Sequence, residues 1–295
     1  MGYESAAQFD RAAKKSIKAS GKDPGVAYRE MLRDRFLCRV FSEDDPRFLL
    51  KGGSSMLARI PDARATKDVD FATRERETAE SALAALNRLA SKDLGDFCTF
   101  RLTGWRESLD ENGYSRLLKL RYASFVGDEE KDPILVDLSL DCTTTQPAER
   151  IVPANRTEIE GVAVCDYLAY PLVDQLADKL CAVMELQPGG WQSSRMKDLV
   201  DIVMYATNES CDLMKLRHAV RSECAKRGMA VPERFAAPDS WRGRFAAYAQ
   251  KNGLTGECAG FEEASLLASR LYDPALSGVF PDDAAWDPIK AEWVS

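Results

Sequence analysis

The sequence predicts an α+β protein, with a sheet-bearing first half and a helical second half. Three observations carry that expectation. Between residues 48 and 141, short apolar or strictly alternating runs recur at strand length. Residues 143–155, with Pro147 and Pro153, read as a connection out of a sheet. From Tyr167 onward the chain reads as helical, with breaks at 188–190, 228–238 and 253–260. The expected division is 1–45 for N-terminal helices, 46–155 for the core and 156–295 for a mainly helical C-terminal domain.

Residues 3 to 44 read as two helices broken at 21–25. The second places Tyr28, Met31, Leu32, Phe36, Leu37, Val40 and Phe41 at helical spacing, with Arg29, Arg33, Arg35 and Arg39 elsewhere around it. That pattern suits a core-packing helix with a solvated basic face, or alternatively a surface touching a polyanion. The apolar run Phe48-Leu49-Leu50 is one buried strand. It is broken by Lys51-Gly52-Gly53-Ser54-Ser55, where Ser54 or Ser55 can cap a short helix reaching Ile60. A turn at 61–64 leads to Lys67-Asp68-Val69-Asp70-Phe71. Residues 75–90 form an amphipathic helix with Leu83, Leu86 and Leu89, and strands follow over 97–102, 117–125 and 134–141. The last strand alternates cleanly, with Val136, Leu138 and Leu140 on one face and Asp137, Ser139 and Asp141 on the other. The proline- and tryptophan-bearing tail from 273 to 295 reads as surface drape.

Composition narrows the chemistry. At 295 residues, 45% hydrophobic and 29% charged, the chain suits one large or two modest globular domains. No apolar run approaches the ~20 residues of a membrane span, and the N-terminus lacks the apolar core of a signal peptide. Both point to the cytoplasm and away from a membrane. The cysteines at 38, 98, 142, 165, 181, 211, 224 and 258 include no C-x-x-C pair, which favours reduced thiols over disulfides or zinc. His218 is the only histidine, so His-based metal sites and Ser-His-Asp triads are nearly excluded and acid–base work falls to carboxylates, lysines or tyrosines. A net charge of −7 argues mildly against a nucleic-acid partner, although the local face decides.

The chemistry concentrates at residues 48–71. In an extended strand Asp68 and Asp70 share a face while Val69 and Phe71 turn to the core. Two carboxylates held that close repel, and a magnesium ion is a common reason to hold them together. Backbone N–H groups of a Gly-Gly-Ser turn at a helix start suit phosphate oxygens. Phosphate cradle and carboxylate pair together suggest nucleotidyl or phosphoryl transfer. Further on, Lys179 sits beside a stripe of Leu172, Leu176 and Val183, where it could equally snorkel outward. A helix opened by a serine cap at 193–194 carries Arg195 and Asp198 at i,i+3 and Lys197 and Asp201 at i,i+4.

Gly53-Ser54 followed by Asp68-x-Asp70 resembles the signature of polymerase β-type nucleotidyltransferases. The longer Lys51-Gly52-Gly53-Ser54-Ser55 string, Thr66 to Asp70, the 175–180 run Gln-Leu-Ala-Asp-Lys-Leu and the 195–201 run Arg-x-Lys-Asp-Leu-Val-Asp resemble, in order, the motifs of the AbiEii/AbiGii-type nucleotidyltransferase toxins of bacterial toxin–antitoxin and phage-defence systems. The resemblance implies a polymerase β-type fold, a mixed β-sheet flanked by helices, with a C-terminal helical domain. It implies magnesium, with manganese as the alternative, in a two-metal site on Asp68, Asp70 and a third carboxylate. Asp137 fits that third place best and Asp141 is the runner-up. Gly53, Ser54, Lys67, Lys179, Arg195 and Asp198 are the implied nucleotide-binding residues, with Lys179 on the triphosphate. Asp201 is the implied essential acid of the last motif, supported by Arg195 and Lys197.

The implied reaction moves a nucleoside monophosphate from a nucleoside triphosphate to the 3′ end of tRNA, blocking aminoacylation, under control of a cognate antitoxin. Basic residues flanking the motifs, Arg59, Arg64, Lys67, Arg74, Arg101, Arg106, Arg116, Lys119 and Arg121, are compatible with such an acceptor, and Lys119 and Arg121 share one face of their strand, as a phosphate-tracking groove requires; solvated charge accounts equally well for most of them. The alternatives are a protein or small-molecule acceptor, or a non-catalytic nucleotide- or antitoxin-binding module. A kinase is disfavoured because neither G-x-x-x-x-G-K-[ST] nor H-R-D…D-F-G occurs.

Overall fold

The computed structural model describes residues 2–61, 63, 66–109, 113–187, 189–278 and 281–295. Arg64, and Pro188 of the expected break at 188–190, lie outside them. The chain forms two compact units. The first comprises Met1–Pro61, Thr66–Thr143 and Glu149–Ala169; the second comprises Asp62–Ala65, Thr144–Ala148 and Tyr170–Ser295.

The first unit opens with helix α1 (Ala6–Ala19), capped by Ser5, which accepts from the Gln8 N–H, and helix α2 (Pro24–Val40), capped by Asp23 with proline in its first turn. The expected solvated basic face of α2 is not what forms. Arg35 and Arg39 are buried against Asp96, to which Arg39 donates at 3.1 and 2.6 Å, and Arg39 also donates to the Cys98 carbonyl at 2.6 Å. Two guanidinium groups at helical spacing can be buried only because a buried carboxylate from another part of the chain meets them.

Behind α2 lies a seven-stranded mixed sheet in the order β3-β4-β5-β2-β1-β7-β6. Its strands are β1 (Phe48–Leu50), β2 (Asp68–Thr73), β3 (Cys98–Leu109), β4 (Arg116–Val126), β5 (Glu129–Ser139), β6 (Glu149–Ile151) and β7 (Tyr167–Ala169). β2 runs antiparallel to β1 and parallel to β5, while β3, β4 and β5 form an antiparallel meander. Helix α3 (Gly52–Arg59) joins β1 to β2, and α4 (Ala79–Ala90), capped by Thr78, joins β2 to β3. The core under this face is apolar: Phe36, Phe48, Val69, Phe71, Leu118, Tyr122, Val136 and Leu138 are all buried.

The second unit is helical, with α5 (Leu172–Met184), α6 (Met196–Asn208), α7 (Leu213–Lys226), α8 (Phe245–Lys251) and α9 (Phe261–Ser277). The tail does not drape. α9 continues through Pro274, and strands β8 (Ala285–Asp287) and β9 (Glu292–Val294) form a hairpin that buries Trp286 and Trp293. Their indole N–H groups donate to the carbonyls of Ala206 at 2.7 Å and of Leu271 at 3.1 Å, so the tryptophans are anchors. No helix among the described residues is long and apolar enough to cross a membrane.

Candidate active site

The three buried side chains of β1 fix where the chain must turn. At Gly52 the backbone takes φ +56, and a Cβ there would lie 2.6 Å from Asp70 Oδ2. Only glycine both tolerates that dihedral and lets the backbone approach the carboxylate. The turn opens α3 directly at Gly52, so neither Ser54 nor Ser55 caps it, contrary to the sequence expectation. Ser54 is instead buried and bonded to the next strand. Its hydroxyl donates to the Asp68 carbonyl at 3.0 Å and accepts from the Asp70 N–H at 3.4 Å. The hydroxyl finds these partners because α3 lies against the start of β2, and the contact fixes the aspartate pair to the motif helix.

Asp68 and Asp70 are half-buried, with Val69 and Phe71 fully buried between and beyond them. Parallel pairing of β2 with β5 sets Asp70 opposite Asp137 and Asp68 opposite Leu135. Register partners project from the same face, so three carboxylates share one side of two adjacent strands. Next to β5, β4 sets Lys119 opposite Asp137 and Arg121 opposite Leu135, and β3 sets Arg106 opposite Lys119. A single row across four strands therefore reads Arg106, Lys119, Asp137, Asp70. Lys119 Nζ lies 3.4 Å from Asp137 Oδ2. Burial pushes the Asp137 carboxyl above the ordinary aspartate value; Lys119 opposes the shift and the negative charge of Asp68 adds to it. A groove of about 380 Å³ over this face is lined by Asp68, Asp137, Lys119, Arg106 and Arg121 among others.

From α2, Arg33 donates to the carbonyl of Lys67 at 3.0 Å, just before the aspartate pair. Burial lowers its pKa, while the carboxylates of Glu30, Asp68 and Asp70 hold the proton on.

The second unit carries its own charged cluster. Lys179 on α5 is 6% exposed and Asp201 on α6 is 0% exposed. The lysine donates to Asp201 Oδ2 at 2.6 Å and to Asp198 Oδ1 at 3.3 Å, and does not snorkel. Arg195 Nε donates to the other Asp198 oxygen at 2.7 Å. Burial alone would push the Lys179 ammonium down, but Asp201 and Asp198 outweigh it and hold the pKa above the ordinary lysine value. The expected serine cap is absent here too. α6 begins after Arg195, and Ser193 instead donates to the Ala182 carbonyl at 2.6 Å, tying the α5–α6 connection to α5.

With this geometry in hand, similarity to other proteins becomes informative. The sequence profile of the family described as "Nucleotidyl transferase AbiEii toxin, Type IV TA system" matches residues 35–276, well over half of the chain. The chain belongs to the AbiEii nucleotidyltransferase toxin family. Among solved structures it is similar to the nucleotidyltransferase toxin MenT4 from Mycobacterium tuberculosis, with a TM-score of 0.55, 15% identity, and 95% of this chain and 92% of that one covered. It is also similar to JHP933 from Helicobacter pylori, with a TM-score of 0.47, 16% identity, and 86% and 94% covered. At such identities the MenT4 match speaks for the fold alone. No curated protein is significantly similar to the chain.

The residues expected from the resemblance thus fall into two structural groups. Gly53, Ser54, Lys67, Asp68 and Asp70 lie in the first unit together with Asp137; Lys179, Arg195, Asp198 and Asp201 lie in the second. Gly53 and Ser54 are buried and Lys67 is exposed. Asp141 lies past the end of β5, bonded to Arg116 Nε and to Arg76 Nε at 3.1 Å each, outside the carboxylate row. In the sequence Gly52 reads only as part of the Gly-Gly-Ser turn, Arg33 only as part of a basic helix face, and Lys119 as a basic flank sharing a strand face with Arg121; none is singled out for the contact it makes here. The first glycine of the Gly-Gly pair was a usable signal, because a strand-to-helix turn needs one positive φ. Arg33 had no usable signal, since nothing local links it to a strand 34 residues away.

Among the described residues, no group of three His, Cys, Asp or Glu side chains is placed to hold a metal ion. The donor chemistry nevertheless fits magnesium. It prefers oxygen ligands and is bound through one or two carboxylates plus substrate phosphates and water, not by an all-protein cage.

Proposed function

We propose that this AbiEii-family toxin transfers a nucleoside monophosphate from a nucleoside triphosphate to the 3′ end of tRNA, releasing pyrophosphate and blocking aminoacylation. The observation that carries the reading is the in-register placement of Asp70 and Asp137 on adjacent parallel strands, with Asp68 on the same face. Three carboxylates gathered on an open sheet face oppose their own repulsion, and an ion-assisted phosphoryl site gives that arrangement a purpose.

Asp68, Asp70 and Asp137 would hold magnesium or manganese. An ion held there would lower the pKa of the acceptor hydroxyl and would offset charge on the entering and leaving oxygens. Gly52 keeps the backbone against Asp70, and Ser54 fixes the strand start that carries both aspartates. Gly53 and the adjoining N–H groups of α3 are assigned to the triphosphate. Within the second unit Lys179, kept protonated by two carboxylates, is assigned to nucleotide binding, with Asp201 and Asp198 orienting its ammonium and Arg195 steadying Asp198. Attack at the α-phosphorus forms one P–O bond as the bond to pyrophosphate breaks, with no covalent enzyme intermediate. A cognate antitoxin is the expected regulatory partner.

The test incubates purified protein with magnesium, each α-labelled nucleoside triphosphate and total bacterial tRNA, beside Asp68→Ala and Asp70→Asn variants. Label on tRNA from the wild type, lost in both variants, is expected. Label on protein or small molecules, or none transferred, refutes the tRNA acceptor.

A further inference from the structure

Beyond Asp137 the catalytic face changes sign. Across the sheet, the motif turn at Gly52 adjoins Asp70 from the β1 side, the acids stand on β2 and β5, and the cations stand on β4 and β3. Lys119, Arg121 and Arg106 therefore lie on the far side of the carboxylates from the turn assigned to the triphosphate. Lys119 is paired with Asp137 at 3.4 Å. Arg106 and Arg121 differ from it. Both are exposed, and among the described residues neither guanidinium donates a hydrogen bond or forms an ion pair. Elsewhere on this unit exposed arginines have found carboxylates, as Arg88 does at Glu43 and Arg76 at Asp141. In a chain of net charge −7, these two guanidinium groups stand beside an acid trio without a direct ion-pair contact, Arg106 acting on Asp137 only through space.

Their setting is open. In the neighbouring row, Gly104 stands opposite Arg121, and a Cβ at Gly104 would meet nothing within 4 Å. The groove of about 380 Å³ extends over Arg106, Lys119 and Arg121 to Asp137 and Asp68. From β2 to β3 the row crosses three strand spacings, roughly 14 Å at ~4.8 Å each. That is too long for one phosphate and suits successive phosphates of a chain.

We propose that Arg106 and Arg121, with Lys119 at the junction, form the tract that holds the phosphodiester backbone of a single-stranded nucleic-acid acceptor, delivering its 3′ hydroxyl toward Asp137. This rests on the acceptor reading above and adds its location. The donor triphosphate lies to the other side of the acids. Lys119 is unsuited to the test because its removal also strips Asp137 of a countercharge. Among the described residues Arg106 and Arg121 form no side-chain hydrogen bond or ion pair, and Arg106 pulls on Asp137 less than Lys119 does, so the two can be replaced with less effect on the acids.

The experiment titrates a fluorescently labelled single-stranded RNA with a free 3′ hydroxyl against wild type and Arg106→Ala/Arg121→Ala over a range of salt, by anisotropy. Binding of magnesium–nucleoside triphosphate to the same proteins is measured by calorimetry, and transfer onto RNA by wild type is followed in parallel. The double variant should bind RNA at least about tenfold more weakly at low salt. The slope of log K against log salt should fall by about 1.4, from ~0.7 per phosphate contact on a single strand. Triphosphate affinity should persist. If wild type binds and extends RNA while the double variant keeps its affinity and slope, the tract is refuted and the acceptor reading stands. If triphosphate binding falls in step with RNA binding, the cations serve the donor and the tract is refuted. If wild type neither binds nor extends RNA, both readings fail.

Discussion

Lys179→Met is the substitution whose interpretation matters most, because it separates a structural from a catalytic loss. The ammonium lies 2.6 Å from Asp201 and 3.3 Å from Asp198, with side-chain exposures of 7%, 0% and 4% respectively. Methionine keeps the length and apolar stem and removes the charge from beside two buried carboxylates. Breaking a buried pair from one side costs about 3–5 kcal/mol. Asp198 retains Arg195 at 2.7 Å, while Asp201 loses its bond of 2.6 Å. Removing the charge at both ends, in Lys179→Met/Asp201→Asn, should cost less than the single change, leaving a coupling of about 2 kcal/mol or more. Urea unfolding followed by tryptophan fluorescence suits the measurement. Trp191, Trp241, Trp286 and Trp293 all lie in the second unit, and of the five tryptophans only Trp105 does not. The pH dependence has a definite sign. The folded pKa of Lys179 is raised above its ordinary 10.5, so the pair's contribution is fully present below that value and is lost as pH rises through the folded one. A single variant within about 1 kcal/mol of wild type, or a double variant less stable than the single, would refute the reasoning.

Three further outcomes follow from the first unit. Gly52→Ala forces a side chain into a left-handed dihedral, at about 1–2 kcal/mol, and onto Asp70; a folded protein by circular dichroism with strongly reduced transfer is expected, and wild-type turnover would exclude the close approach. Asp137→Asn should abolish transfer yet raise the melting temperature in chelator at pH 7, because burial lifts the folded carboxyl pKa above the ordinary 3.8 and so penalises the charged form. That advantage should close as pH falls through the folded value, where the wild-type carboxyl is protonated in the fold; a variant that melts lower at pH 7 contradicts the sign. Asp96→Ala leaves Arg35 and Arg39 buried without their carboxylate and should cost about 3–5 kcal/mol in urea unfolding, against less than ~1 kcal/mol for an exposed-pair control such as Glu43→Ala.

How far the site could be read from the sequence depended on the range of the information. Asp68 and Asp70 were assigned to one face by the period of a strand, which is local, and the same alternation separated Asp137 from Val136 and Leu138. That β5 lies beside β2 in parallel, and that Asp137 meets Asp70, is non-local pairing that no periodicity encodes; it had to come from the motif resemblance. Arg35 and Arg39 were misread for the same reason. Their helix has an apolar pattern without them, and Asp96 lies 57 residues away from Arg39. The serine caps failed differently. The local rule was sound, but at Ser54 and Ser193 the hydroxyl found a carbonyl on a neighbouring element, and glycine geometry or the preceding turn began the helix instead. The tail was misjudged because prolines suggest a loop, whereas Trp286 and Trp293 each had a buried carbonyl to meet.

The two motif groups also differ in what a loss of activity would mean. Lys179, Asp198 and Asp201 are buried in a satisfied ion cluster that holds α5 to α6, so their removal disturbs packing whether or not they touch a nucleotide. Asp68, Asp70 and Asp137 are only half-buried on an open sheet face, and the negative charge of Asp68 adds to the strain on Asp137. Replacing them should leave the fold intact or firmer. A folded variant that has lost transfer is therefore strong support for chemistry at the sheet face. At the helical cluster the same result counts only once stability has been measured and found unchanged.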